Sequence, residues 1–176
     1  MILAGASRGG SMTHIRKRPG LAVLIFFWCC SFPAGAAEYR YDPDADPYRQ
    51  LEAAGIQATE ANKLVLVVFG SEWCPDCRSF NSKLGEPPLS DTVESNFQVV
   101  HVDVGNWDRN IEFTRQFGKP IDEGIPSIAI LGPDLSLHFV AEAGEFASAR
   151  HSKVTSLNDW FSNILARIRD GDPPDH

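Results

Sequence analysis

The stretch that decides the reading runs Leu64-Val65-Leu66-Val67-Val68-Phe69-Gly70-Ser71-Glu72-Trp73-Cys74-Pro75-Asp76-Cys77. Six apolar residues without alternation suit a strand at the centre of a sheet, covered on both faces. The two thiols that follow lie one turn apart, where the strand hands over to a helix. The Cys74 sulfur then sits among backbone N–H groups that no carbonyl has claimed. Those donors and the helix dipole favour an anion, which lowers a thiol pKa and makes a nucleophile. Thiol–disulfide exchange is the chemistry such a pair performs.

Toward the amino end, Arg16-Lys17-Arg18 precedes the apolar run Leu21 to Cys30, and Pro33-Ala34-Gly35-Ala36-Ala37 follows. Basic, apolar, then small residues is the order of an export signal. The apolar core, about ten to twelve residues, fits a signal core and falls short of the roughly 20 that span a bilayer. Cleavage near Ala36 or Ala37 is expected, making residues 1–37 a signal peptide and the mature protein periplasmic, with no stable membrane insertion. The alternative is an inner-membrane anchor formed by residues 21–32. Bulky Phe27 and Trp28 before Cys29 speak against a lipoprotein, and the basic cluster lacks adjacent arginines. Residues before Met12 add nothing, and a start at Met12 gives a more ordinary signal length.

Removal of residues 1–37 takes four basic residues and no acidic one, moving the formal net charge from −7 to −11. So acidic a chain is a poor match for nucleic acid. Cys29 and Cys30 leave with the signal, so Cys74 and Cys77 are the thiols of the mature chain. A disulfide scaffold would need several bridges closing longer loops, so one close pair points to reactivity. The whole chain of 176 residues, 43% apolar and 22% charged, has room for one domain with a core.

Residues 38–47, polar and broken by Pro43 and Pro47, read as a flexible arm. The folded domain is expected over 48–169. Tyr48 to Ile56 reads as a short helix with Ala53, Ala54 and Ile56 inward and Gly55 near its end. The strand Leu64 to Phe69 follows, then a helix from Cys74 carrying Phe80 and Leu84 and stopping at Gly85-Glu86-Pro87-Pro88. Leu89 to Phe97 is a further short helix, Val99 to Val104 a second strand, and Trp107 to Phe117 an amphipathic helix presenting Ile111, Phe113 and Phe117. Ile125 to Leu131 is a third strand, turning at Gly132-Pro133-Asp134 into a fourth, Leu135 to Val140. A polar excursion, Glu142 to Lys153, precedes a closing helix, Ser156 to Ile168, and residues 170–176 read as a disordered tail. Trp107 and Trp160 read as core, and Asp103, Asp108, Asp122 and Glu123 as a solvated face.

Parallel βαβ first and antiparallel hairpin second is a three-layer α/β/α arrangement with a central mixed sheet of about four strands. Over roughly residues 50 to 169 the chain resembles the thioredoxin superfamily, in particular its exported bacterial members. Two motifs carry the resemblance: Trp73-Cys74-Pro75-Asp76-Cys77 after Phe69-Gly70-Ser71-Glu72, and Gly124-Ile125-Pro126 opening a strand about fifty residues later. The resemblance implies an attacking Cys74 and a resolving Cys77. It also implies an Ile125-Pro126 bond in the cis form beside the dithiol, with the Ile125 carbonyl left to pair with an extended substrate segment. Trp73 would wall the substrate, and Pro75 lies between the sulfurs. Where many thioredoxins place a buried Asp, six positions before the first Cys, this chain has Val68.

The expected activity is therefore reduction of protein disulfides by a monomer with no bound cofactor and no metal. An oxidising compartment reoxidises an unsupported reductase, so a membrane-bound thiol electron donor is implied. Asp76, read as an exposed charge, should oppose the Cys74 thiolate and push the couple toward the reducing side. His101 is a secondary candidate near Val68. The rival readings are copper capture by the two thiolates, with His101, His138 or His151 as a third ligand, and a non-catalytic adaptor.

Overall fold

The computed structural model describes residues 40–118, 120–142 and 144–171. The expected signal segment and the final five residues lie outside them. No helix among the described residues is long and apolar enough to cross a membrane.

The chain runs α1 (Pro47–Ala61), β1 (Leu64–Gly70), α2 (Pro75–Leu84), α3 (Leu89–Asn96), β2 (Phe97–Asp103), α4 (Ile111–Arg115), β3 (Ser127–Leu131), β4 (Leu137–Val140), a 3₁₀ turn (Ala149–His151) and α5 (Val154–Asp170). The sheet order is β2-β1-β3-β4. β1 pairs parallel with β2 and antiparallel with β3, and β3 pairs antiparallel with β4. This is the mixed four-stranded sheet expected of the thioredoxin fold.

β1 is central, and Val65 through Gly70 are all buried, as a strand covered on both faces requires. Alternation of side chains divides the contacts between two layers. On one face Phe69 lies 6.4 Å from Phe113 and 5.4 Å from Phe117, ring centre to ring centre, and Tyr48 of α1 lies 5.0 Å from Phe113. On the other face Leu64 is paired with Phe97, whose ring lies 5.8 Å from Phe161 of α5. Phe80 of α2 joins the same cluster, 6.5 Å from Phe161 and 5.2 Å from Phe146. α2 is thus bedded on the same face as α5, and its first turn projects from the carboxyl end of β1, where sheets of this kind place their sites.

The structure revises several sequence readings. α1 is longer than Tyr48 to Ile56, because Asp46 caps it: its carboxylate accepts from the N–H groups of Tyr48 and Arg49, and Pro47 occupies the first turn. Ala54, Gly55 and Ala58 form its inner side, whereas Ala53 is exposed and Ile56 is 58% exposed. The helix expected over Trp107 to Phe117 shrinks to Ile111–Arg115, because Trp107 and Asn110 adopt left-handed backbone conformations with φ of 65° and 52°. Trp107, expected in the core, is 45% exposed. Trp160 does pack as expected, against Phe139, Phe146 and Phe161. Phe97 begins β2 rather than ending α3, and α5 extends through Asp170.

The arm expected to be loose is anchored. Tyr41 is 3% exposed, its N–H donates to the Glu72 carboxylate at 2.9 Å, and its hydroxyl donates to Asn81 Oδ1 at 3.4 Å. Its ring meets His101 edge-on with centroids 5.2 Å apart. The space it occupies lies over Gly70, where a Cβ would collide with the phenol oxygen and the ring carbon bearing it. Gly70 therefore lacks a side chain because Tyr41 fills its place. Gly70→Ala should cost roughly 1–3 kcal/mol by overpacking, measured by urea unfolding. The same substitution in a Tyr41→Ala background should cost clearly less, since neighbours that share a volume are not additive. Equal costs in the two backgrounds would show that Tyr41 does not occupy that site.

Candidate active site

Cys74 is the N-cap of α2, with extended backbone at φ −76° and ψ 119°, and Pro75 takes the position after it. A cap residue ordinarily offers an oxygen to the unpaired N–H groups of the first turn. Here the acceptor is sulfur: Cys74 Sγ accepts the N–H of Cys77 at 3.2 Å. Both cysteines are free and buried, Cys74 4% exposed and Cys77 fully enclosed.

The two thiols are electrostatically unequal. A hydrogen bond from the Cys77 thiol is the largest influence on Cys74 and, with the backbone N–H groups of Cys77 and Asp76, outweighs burial and the Asp76 charge, bringing its pKa from 9.0 to about 7. The Cys77 thiol moves far upward, because it holds the proton shared with Cys74 and because it is buried. One sulfur is poised as thiolate near neutral pH, and the other retains its proton.

The second motif closes over the pair. Ile125-Pro126 is cis, Ile125 and Pro126 are buried, and the protonated Cys74 thiol donates to the Ile125 carbonyl at 3.5 Å. Proline contributes no N–H there, so the edge facing the sulfur is an acceptor. Gly124 enters the turn at φ 141°, and a Cβ on it would strike Ala147. The excursion after β4 thus abuts the Gly124-Ile125-Pro126 loop.

Trp73 stands 49% exposed beside Cys74, and its indole N–H donates to the Gly105 carbonyl at 2.7 Å. Below it the Ser71 hydroxyl reaches Asp103 Oδ1 at 2.7 Å and Gly105 O at 2.8 Å, while Asp103 Oδ2 accepts from Gly105 N–H and Arg109. Asp103 was expected on a solvated face. It is 6% exposed, and it ties the end of β2 to the loop that positions the tryptophan. Tyr41, Ser71, Glu72, Trp73 and Asp103 line a cleft of about 310 Å³ next to the dithiol.

Asp76, expected to be exposed, is 6% exposed. Its Oδ1 accepts the Arg150 N–H at 3.0 Å, and the Arg150 guanidinium lies 3.7 Å away. Two turns on, Lys83 Nζ donates to the carbonyls of Ala149 and Arg150. The 3₁₀ turn is therefore clamped along α2, a role that neither Asp76 nor Arg150 advertises in sequence because it depends on a contact 74 residues apart.

His101 pairs with Val68 across the parallel ladder, so the two side chains share the face turned to α2. Its Nε2 lies 3.1 Å from Asn81 Oδ1, and burial lowers its pKa to about 4, which leaves it neutral at pH 7. His101 is not brought together with His138 or His151 at the sulfurs. Among the described residues no group of three or more His, Cys, Asp or Glu side chains is arranged to hold a metal ion.

The profile of the Thioredoxin-like family matches residues 46–133. Among solved structures, the chain is similar to a disulphide isomerase from Xylella fastidiosa Temecula1, with 34% identity, 74% of this chain and 99% of that one covered, and a TM-score of 0.69. A thioredoxin from Thermus thermophilus shares the fold at 22% identity and a TM-score of 0.50, over 74% of this chain and 89% of that one. Among curated proteins, it is 38% identical to the tryparedoxin of Trypanosoma brucei brucei over 32% of this chain and 38% of that one. It is 32% identical to a probable nucleoredoxin 3 of Oryza sativa subsp. japonica over 41% of this chain and 19% of that one. The chain thus spans well under half the length of these curated relatives. With both the β1–α2 dithiol and the Gly124-Ile125-Pro126 loop inside the matched residues 46–133, this chain belongs to the thioredoxin-like family.

Proposed function

We propose that the chain is an exported thiol–disulfide oxidoreductase that reduces disulfides of other proteins through Cys74 and Cys77. One observation carries this reading: Cys74 caps α2 with its sulfur accepting the Cys77 N–H at 3.2 Å, and the enclosed Cys77 thiol sits one turn deeper, an arrangement that lowers the Cys74 pKa and raises that of Cys77. The Cys74 thiolate attacks a client disulfide, forms a mixed disulfide and expels one client thiolate. Cys77 then loses its proton and attacks Cys74 Sγ, which forms the Cys74–Cys77 disulfide and releases the second client thiolate. Two electrons pass to the client, and no bound cofactor takes part.

Trp73 and Pro75 on one side and Ile125 and Pro126 on the other form the walls against which a client segment lies, with the Ile125 carbonyl available to an extended backbone. The relatives named as a disulphide isomerase and a tryparedoxin support exchange chemistry of this class. Export to the periplasm, action as a monomer and a membrane-bound thiol donor that restores the dithiol complete the proposal. The donor follows from the direction assigned to the electrons, because an oxidising compartment drains an unsupported reductase.

The decisive measurement is turbidimetric reduction of insulin with dithiothreitol as donor. The protein should accelerate it, and Cys74→Ser should abolish the acceleration. A protein inert both in this assay and toward a reduced peptide is not an oxidoreductase. The equilibrium potential against glutathione fixes the direction, with a value near about −270 mV expected for a reductase and one near about −120 mV marking an oxidant.

Alkylation by iodoacetamide as a function of pH should give a Cys74 midpoint near pH 7, reactivity falling as pH drops below it and the thiolate is lost. Cys77→Ala removes the largest stabilising hydrogen bond and should move that midpoint upward, while trapping client mixed disulfides. Asp76→Asn should move it downward, because the carboxylate opposes the thiolate. A midpoint unmoved by either change would disprove this account of the pKa.

A further inference from the structure

The exchange proposed above leaves one proton without a carrier. Cys77 must surrender its proton to attack, yet its thiol is fully enclosed and its partner Cys74 has by then been capped by the client. The position where thioredoxins place a carboxylate is Val68, itself fully buried and unable to take a proton.

A polar cluster occupies the same face. Asn81 stands four residues after Cys77 on α2, hence one turn along the same buried side. Its Oδ1 accepts the Tyr41 hydroxyl at 3.4 Å and lies 3.1 Å from His101 Nε2. Tyr41 also lines the cleft that opens beside Trp73, so it touches both the buried cluster and the solvent-facing cavity. Its hydrogen bond to Asn81 is long enough to be exchanged for another.

We propose that Tyr41 carries the proton of Cys77 during resolution, its phenol oxygen receiving that proton as the hydroxyl proton passes to the cleft. The balance is complete. The Cys74–Cys77 bond forms as the Cys74–client bond breaks, the client sulfur leaves with the electron pair, one proton reaches solvent, and the phenol ends as it began. The groups facing Tyr41 are Glu72 from the β1–α2 loop, Cys74, Cys77 and Asn81 from α2, and His101 from β2. Burial first, then the charges of Cys77 and Cys74, hold the phenol well above its ordinary pKa, so it stays protonated at neutral pH. The phenol oxygen lies over Gly70, next in the chain to Ser71, whose backbone N–H reaches the Cys77 sulfur, so it sits on the Cys77 side of β1. His101, neutral and edge-on to the ring, contributes packing and a hydrogen bond to Asn81 rather than a charge.

The test uses the reduced protein and dithiobis(nitrobenzoate), which releases one coloured thiolate when Cys74 attacks and a second when Cys77 resolves. Tyr41→Phe keeps the ring over Gly70 and against His101. It should leave the first release within about twofold of wild type and slow the second by about tenfold or more, the lower range of what a positioned proton-transfer group supplies. The slow phase should also become proportional to hydroxide concentration, which a loss of packing alone would not produce. A second release within about twofold of wild type across the pH range overturns the proposal. Should Tyr41→Phe fail to fold, the rate of the second release in wild type is followed against deuterium fraction. Two protons in flight bow that dependence, and a straight line overturns the relay. A wild type that releases neither equivalent overturns the oxidoreductase reading, and this inference with it.

Discussion

A hydrogen bond from the backbone N–H of Cys77 to the Cys74 sulfur, at 3.2 Å, is the contact on which the rest of the site depends. It exists because a cysteine occupies the cap of α2, where the unpaired amides of a first turn need an acceptor. Sulfur is a weak acceptor when protonated and a strong one as thiolate, so the helix terminus favours the charged form. The hydrogen bond from the Cys77 thiol is the larger influence, and together they bring the pKa to about 7, where roughly half of the molecules carry a thiolate at pH 7, against roughly one in a hundred at the ordinary 9.0. The sheet supplies the rigidity. β1 is enclosed from Val65 to Gly70, α2 is bedded through Phe80 and Leu84, and neither end of the motif can shift without disturbing the core.

The negative charge of Asp76, placed between the sulfurs, works against that contact, and the fold offsets it. A buried carboxylate without partners is costly, and Asp76 obtains a backbone N–H from Arg150 with the guanidinium close by. The same contact seats the segment after β4 along α2, with Lys83 holding its other end. Phe146 then packs on Phe80, and Ala147 fits against Gly124 before the proline loop. A residue that looks unfavourable for thiolate chemistry is thus the point that joins the two halves of the site.

How much of this could be read from residues alone follows from the range of the interactions. The dithiol, its strand and the helix after it are legible because each is local: an apolar run, then thiols one turn apart, then aromatic positions at helical spacing. The proline motif was legible as the opening of a third strand read from Ile125, although β3 begins at Ser127 and leaves Ile125 and Pro126 in the loop before it. Tyr41, Asn81, Asp103 and Arg150 were not, since each acquires its role from a partner 31 to 74 residues away. Tyr41 was hidden by its setting, as prolines and aspartates mark a loose segment until a glycine on β1 leaves a hole for a phenol. Trp107 misled in the other direction. Its spacing to Ile111 and Phe113 fits a helix, but left-handed residues at 107 and 110 break it and turn the indole outward.

The inequality of the two sulfurs imposes an order on the proposed exchange. In the reduced protein one proton serves both: Cys77 holds it and, by donating it to Cys74, favours the Cys74 thiolate, which the proposed exchange uses as the attacker. Once Cys74 is bound to a client it carries no charge and no longer raises the pKa of Cys77 through the shared proton. What remains against Cys77 is burial and, more weakly, the Asp76 charge, opposed by a hydrogen bond from the backbone of Ser71. Capture therefore lowers the barrier to release, because the act of forming the mixed disulfide removes the largest influence that kept the second thiol protonated. A dithiol whose cysteines were equally exposed would lack that sequence, and either sulfur could begin. In the proposed exchange the helix mouth selects Cys74, the raised pKa reserves Cys77, and the order of attack follows from the first turn of α2.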